Sequence, residues 1–251
     1  MKKPTSLASR VAVVSGGSGG IGSAICRTLA EAGVHLVLTY SKSAAKAQAV
    51  ADSLAGSGHL VVRAPVDDSA ALQRLVHQVA ERYDSVDLLV NNAGVTRPVP
   101  HDDLEGLSDE IIDQIFRVNW RGAFAMIRAF RPLLAAGEGG LVVNISSIAG
   151  ITAVGSNVAY CASKAAMNNM TMSLARALAP EIRVVSLSPG WVMGEYARRM
   201  DPAYLQQQVD LTPLGRLAEP EDVADAVLAL VTRLRFTTGA IIPVDGGRPL
   251  K

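Results

Sequence analysis

Short apolar runs alternate along the chain with longer stretches whose apolar residues recur every three or four positions. Residues 10–15, 34–40, 60–64, 87–90, 141–145, 182–187 and 240–244 are runs of the first kind and predict seven strands, those at 10–15 and 141–145 buried. Residues 21–32, 44–54, 70–83, 108–132, 158–179 and 220–231 carry the second pattern and predict helices. Ile21, Ile25 and Leu29 share one face, and Gly33 supplies a stop. Leu72, Leu75, Val76 and Val79 share another, and Asp109 and Glu110 suit a first helical turn. Strands without internal polar alternation, separated by helices, predict an α/β fold with a parallel sheet covered on both faces. Residues 190–218 hold Gly, Pro and mixed polar groups with little period and are expected to form a mobile flap over the substrate. No linker, repeat or low-complexity stretch interrupts the pattern, so one domain is expected over residues 1–251.

Composition narrows the function. With 24 Lys and Arg against 23 Asp and Glu the net charge is +1, so no basic excess points to nucleic acid or an anionic membrane. An aromatic content of 4% is too low for base-stacking platforms. Cys26 and Cys161 are far apart and without metal-ligand spacing, which predicts two buried reduced thiols, no metal and a cytoplasmic protein. Lys2 and Lys3 precede an apolar run, but Val11–Val14 is too short for a signal peptide and reads as a strand. No apolar stretch is long enough to span a membrane.

Three stretches carry candidate chemistry. Ser15-Gly-Gly-Ser-Gly-Gly-Ile-Gly22 joins the first strand to the first helix. Glycines there let the backbone turn tightly, and the helix N-terminus offers unpaired N–H groups to a pyrophosphate, so Gly16, Ser18, Gly20, Ile21 and Gly22 are candidate dinucleotide contacts. Asn91-Asn92-Ala93-Gly94 leaves the fourth strand at the same sheet edge and is expected to wall the cofactor cleft through Asn92, Ala93 and Gly94. Tyr160 and Lys164 are four apart on a predicted helix and share a face. An ammonium beside a phenol lowers its pKa, and a hydroxyl from the preceding strand end, Ser147, could hold the reacting oxygen. A Tyr-x-x-x-Lys spacing alone is weak; its setting gives it weight.

In combination these motifs resemble the short-chain dehydrogenase/reductase superfamily over essentially the whole chain. The resemblance rests on the glycine turn, Asn91–Gly94, Asn119, Ser147, Tyr160-x-x-x-Lys164, Pro189-Gly190 and Val244-Asp-Gly-Gly247. It implies a Rossmann-type doubly wound sheet of seven parallel strands and hydride transfer between a nicotinamide cofactor and a ketone or secondary alcohol. It implies that Tyr160 donates the proton, Lys164 lowers its pKa and holds the nicotinamide ribose, Ser147 binds the substrate oxygen, and Asn119 ties Lys164 to solvent. Pro189, Gly190 and Val192 would adjoin the nicotinamide. Where relatives carry an Asp or Asn that contacts adenine this chain has Pro65, which leaves the backbone of Val66; where they carry a nicotinamide-binding Thr it has Gly194. Relatives nearest in pattern, through Pro213-Leu-Gly-Arg216 and Pro220-Glu-Asp-Val223, are 3-oxoacyl-carrier-protein reductases and related carbonyl reductases. The resemblance also implies a homotetramer in which the helices near 108–132 and 158–179 pair across a two-fold axis.

Cofactor choice turns on the end of the second strand, where an acid selects NAD and a base accepts the 2′-phosphate of NADP. Tyr40, Ser41, Lys42 and Ser43 stand there without a carboxylate, which predicts NADP(H) over NAD(H). Gly19 replaces a basic residue found inside the glycine turn of many relatives. Other readings are an NAD-dependent secondary-alcohol dehydrogenase and a cofactor-binding regulator without catalysis. A nucleotide-sugar epimerase would need a substantial C-terminal domain, and only about sixty residues follow Pro189. An acyl-carrier protein is a candidate partner, although Leu134–Gly140 at the end of the long fourth helix has no basic residue; Arg128, Arg131 and Arg176 are the nearest.

Overall fold

The computed structural model describes residues 7–194 and 197–250. Among them lie seven strands, β1 (Val11–Val14), β2 (His35–Tyr40), β3 (Leu60–Arg63), β4 (Leu88–Asn91), β5 (Gly140–Ile145), β6 (Ile182–Pro189) and β7 (Ile241–Val244). They form one sheet in the order β3-β2-β1-β4-β5-β6-β7, and every neighbouring pair is parallel. Helices α1 (Gly20–Glu31), α2 (Ala44–Asp52), α3 (Ser69–Ala80), α4 (Asp109–Phe116), α5 (Ala123–Ala135), α6 (Ala149–Thr152), α7 (Val158–Leu178), α8 (Pro202–Asp210) and α9 (Pro220–Thr232) complete the described chain. The single-domain, Rossmann-type doubly wound sheet expected from the sequence is what forms.

Two cores explain why β1 shows no polar alternation. Ala12 and Val14 pack on one face with Leu36 and Leu38 of β2, Ile25 and Leu29 of α1, and Val227 and Leu230 of α9. Val11 and Val13 pack on the other with Val37 and Leu89, against Leu75 and Val79 of α3 and Met126 and Phe130 of α5. A strand covered on both faces must be apolar throughout. At the N-terminal edge, Asp87 accepts from Val11 N at 2.8 Å and pairs with Arg10, which also reaches Glu138 at 2.7 Å. This clamp holds β1 beside β4, where the strand order changes direction. Ligands of open α/β sheets bind at the C-terminal ends of the strands on either side of such a switch.

The structure departs from the sequence reading in two places. The long helix expected over residues 108–132 runs on to Ala135, and a π turn, Arg117–Gly122, separates α4 from α5. Pro132 lies inside α5; it is exposed and near the helix end, where one lost backbone hydrogen bond is tolerated. Residues 190–218 are also less irregular than expected. Asp201 accepts from Ala203 N at 2.7 Å and caps α8, with Pro202 at its first position. Glu195 and Tyr196 of that segment lie outside the described residues. Among the described residues no helix is long and apolar enough to cross a membrane.

Candidate active site

The crevice is built around the carbonyl of Gly16. It accepts from Gly19 N at 3.0 Å and from Asn92 Nδ2 at 3.0 Å. Asn92 Nδ2 also reaches Ser15 O at 3.0 Å, and Ser15 Oγ accepts from Asn92 N (3.0 Å) and Ala93 N (3.1 Å). The exits of β1 and β4 are thereby joined. Gly16 needs its glycine because φ is +65°, in the left-handed region. At Gly22 a Cβ would lie 2.3 Å from Gly16 O and 2.7 Å from Asn92 Nδ2, so only glycine lets α1 start this close to the turn. No side chain caps α1, and a Cβ on Gly20 would meet nothing within 4 Å. A bare N-terminus of a twelve-residue helix above an open glycine surface suits a pyrophosphate. The residues present therefore fit a dinucleotide.

Ser147, Tyr160, Lys164 and Asn119 come together across from this turn. Asn157 starts α7 by accepting from Tyr160 N at 2.6 Å, and its Nδ2 donates to Arg97 O at 2.7 Å. Ser146 Oγ donates to Lys164 O at 3.2 Å, so this serine positions the helix, while Ser147, whose Oγ accepts from Ala149 N at 3.2 Å, lies beside the Tyr160 phenol. Lys164 Nζ donates to Ile145 O at 2.8 Å and lies 5.7 Å from the Tyr160 ring centre. Asn119, in the π turn and fully buried, accepts from Val95 N at 2.8 Å and donates to Val95 O and to Ser163 Oγ. A Cβ on Gly94 would stand 3.4 Å from Asn119 Oδ1 and 3.9 Å from Lys164 Nζ, which places the Asn91–Gly94 turn against both.

Burial dominates the electrostatics. It pushes the Tyr160 phenol up, and the Ser147 hydroxyl pulls less strongly the other way. The Lys164 ammonium is pushed down to about 8, also by burial.

The remaining expected residues fall into two groups. Ser18 and Ile21 line the turn; Tyr40, Ser41 and Lys42 lie at the end of β2, and Gly17 N donates to Thr39 O at 3.1 Å to bring that end beside the turn. Pro189 and Gly190 end β6, where a Cβ on Gly190 would be 3.0 Å from Asp245 Cα, and Val192 bridges Ala218. Val66 is buried in the α3 and α5 core against Gly122, so its side chain is turned inward. The Ser43 hydroxyl caps α2 by accepting from Lys46 N at 3.3 Å. Sequence reasoning passed over Ser15 and Asn157. The Ser before the glycines and the Asn three before Tyr160, at a helix start, were their only local signals.

Comparison with known proteins defines the class. The family described as enoyl-(acyl carrier protein) reductase matches residues 16–248. A protein assigned as ketoacyl reductase 2 of the granaticin polyketide synthase of Streptomyces violaceoruber is 39% identical over 242 residues, covering 96% of each chain. The 3-oxoacyl-(acyl-carrier-protein) reductase of Staphylococcus aureus is 30% identical over 240 residues, covering 94% of this chain and 96% of its own. The crystal structure of a Burkholderia xenovorans protein assigned to the short-chain dehydrogenases/reductases superposes with a TM-score of 0.88 at 34% identity, covering 97% of this chain and 99% of the other. The chain belongs to the short-chain dehydrogenase/reductase superfamily. It is an NAD(P)-dependent oxidoreductase acting on CH–OH and C=O groups.

The buried ammonium sets a pH dependence. Lys164 moves from an ordinary 10.5 down to about 8 on folding. Between those values the unfolded chain holds a proton that the folded chain has released, so stability rises with pH across this window. Below about 8 both states are protonated and the cost of the buried charge is felt in full. Lys164→Met removes this dependence. Urea unfolding of both proteins from pH 7 to 10 should show the wild type gaining on the variant above pH 8; parallel curves would show that the ammonium is not desolvated.

Proposed function

We propose that the chain reduces a ketone with NADP(H), Tyr160 giving the proton to the carbonyl oxygen. The observation that carries this is the convergence of Ser147, Tyr160 and the buried Lys164 at the sheet edge that also holds the glycine cradle. A nicotinamide bound there supplies the hydride. The raised phenol keeps its proton at neutral pH and has it to give. Ser147, beside the Tyr160 phenol, holds the substrate oxygen within reach of that proton. Lys164 is charged below about 8 and stabilises the phenolate left behind. Asn119 holds the Val95 backbone and Ser163, and through Ser163 Oγ, which donates to Tyr160 O at 2.8 Å, it keeps α7 in place. The cofactor would be held by Gly16, Ser18, Gly20, Ile21 and Gly22 at the pyrophosphate, by the 92–94 turn, by Tyr40, Ser41 and Lys42 at the adenine ribose, by Val66 at the adenine, and by Pro189, Gly190 and Val192 at the nicotinamide.

Docking of an acyl-carrier protein is weak, and a free small ketone is at least as good a candidate substrate as a carrier-bound one. Arg128, Arg131 and Arg176 are exposed, but the end of α5 has no basic side chain to grip an acidic partner. The assembly is a homotetramer built on α4–α5 and α7, consistent with the exposed Met172 on α7. Free, buried Cys26 and Cys161 fit a cytoplasmic location.

Three outcomes check this reading. Tyr160→Phe should bind cofactor almost normally and lose roughly a hundred- to ten-thousand-fold in turnover; turnover within a few-fold of wild type would remove Tyr160 as the acid. Lys42→Ala should weaken NADPH binding by about 1 to 2 kcal/mol, the scale of one charged hydrogen bond, and leave NADH binding nearly as it was. Light scattering at micromolar concentration should give the mass of four chains, and a monomer would refute the assembly.

A further inference from the structure

The loop after β2 has a cationic neighbour that sequence order conceals. Strands β2 and β3 pair in parallel with Tyr40 opposite Arg63, and Ala64 N donates to Tyr40 O at 2.9 Å. Partners in register point to the same face of a sheet, so Tyr40 and Arg63 stand side by side at its C-terminal edge. Arg63 Nε donates to Ser41 O at 3.2 Å. This bond fixes the guanidinium against the loop and leaves both Nη groups without a partner among the described residues. Arg63 is exposed and no carboxylate among the described residues pairs with it, in contrast to Arg10 with Asp87 and Arg216 with Asp222.

In the same loop Ser43 is anchored to the start of α2 by accepting from Lys46 N at 3.3 Å, which leaves its O–H to donate. Ser41 and Lys42 precede it, both exposed. An ammonium is a point charge on a flexible stem, whereas a guanidinium offers a planar fork that matches two oxygens of a phosphate at once. Gly17 N bonded to Thr39 O at 3.1 Å keeps this loop beside the pyrophosphate cradle. A ribose extending from that cradle would bring its 2′ substituent to the end of β2.

We propose that Arg63 is a specificity-determining residue that reads the 2′-phosphate of the cofactor, with Lys42 as the second cation. The proposal rests on the NADP(H) reading above. It assigns selectivity to a side chain on the third strand, brought to the site by sheet register and oriented by a backbone carbonyl of the second-strand loop.

The test separates the phosphate from the rest of the nucleotide. Wild type, Arg63→Gln and Arg63→Lys are titrated calorimetrically with 2′,5′-ADP and with ADP, and kcat/KM is measured with NADPH and NADH. Arg63→Gln should weaken 2′,5′-ADP by roughly tenfold or more while ADP stays close to wild type, and the NADPH-to-NADH preference should fall in parallel. Arg63→Lys keeps the charge without the fork and should lie between. A loss shared equally by both nucleotides, or no loss, overturns the role of Arg63 while a wild-type preference for 2′,5′-ADP leaves the NADP(H) reading standing. A wild type that binds the two nucleotides equally and uses NADH as well as NADPH overturns both.

Discussion

The Gly16 carbonyl is the point on which the ligand edge of the sheet depends. It takes a backbone donor from its own turn and a side-chain donor from the β4 exit, while α1 passes so close that no side chain fits at Gly22. Each hydrogen bond contributes only about 0.5–1.5 kcal/mol. Their value is geometric: they lock two strand exits, a helix start and the Asn91–Gly94 turn into one rigid corner. From that corner Gly94 lies against Asn119 and Lys164, so the cradle and the cluster proposed to transfer the proton share one frame.

The Tyr160–Lys164 side is governed by burial. Lys164 sits inside the protein with Ile145 O as its bonded partner, and Tyr160 beside it is pushed toward its neutral form. A buried unpaired charge is costly, and the cost appears as a lowered pKa for the amine rather than as an unfolded chain. The site is thus held by packing from both sides: Ser146 and Gly150 lie against the Lys164 backbone, where a Cβ on Gly150 would come within 2.7 Å of Lys164 C.

Most of the fold was legible because a parallel strand covered on both faces, as β1 is, must be apolar, and short apolar runs mark all seven strands even though the edge strands β3 and β7 are only partly covered. The shared face of Tyr160 and Lys164 was legible too, since both lie on α7 at helical spacing. What could not be read was tertiary. The π turn at Arg117–Gly122 shifts hydrogen bonds without changing composition, and α8 hides its period behind Gln206, Gln207 and Gln208. The direction of the Tyr160 shift depends on how much protein surrounds it, which spacing does not encode. Arg63 meets Ser41 only through strand register, a non-local property twenty-two residues removed in the chain.

Asn157 has a consequence for how such a site can change. One carboxamide caps the helix of Tyr160 and holds the carbonyl of Arg97, while Val99 N donates to Ser156 O at 2.8 Å and His101 bonds Gly155 O at 3.1 Å. The two segments flanking the entrance are therefore stitched together and tied to the start of the reacting helix. Redirecting the enzyme to a differently shaped substrate by grafting one of these loops would break the stitching. Residues 95–101 and 153–157 form a single inheritable cassette, to be exchanged together and recombined only at Gly94 and beyond Asn157.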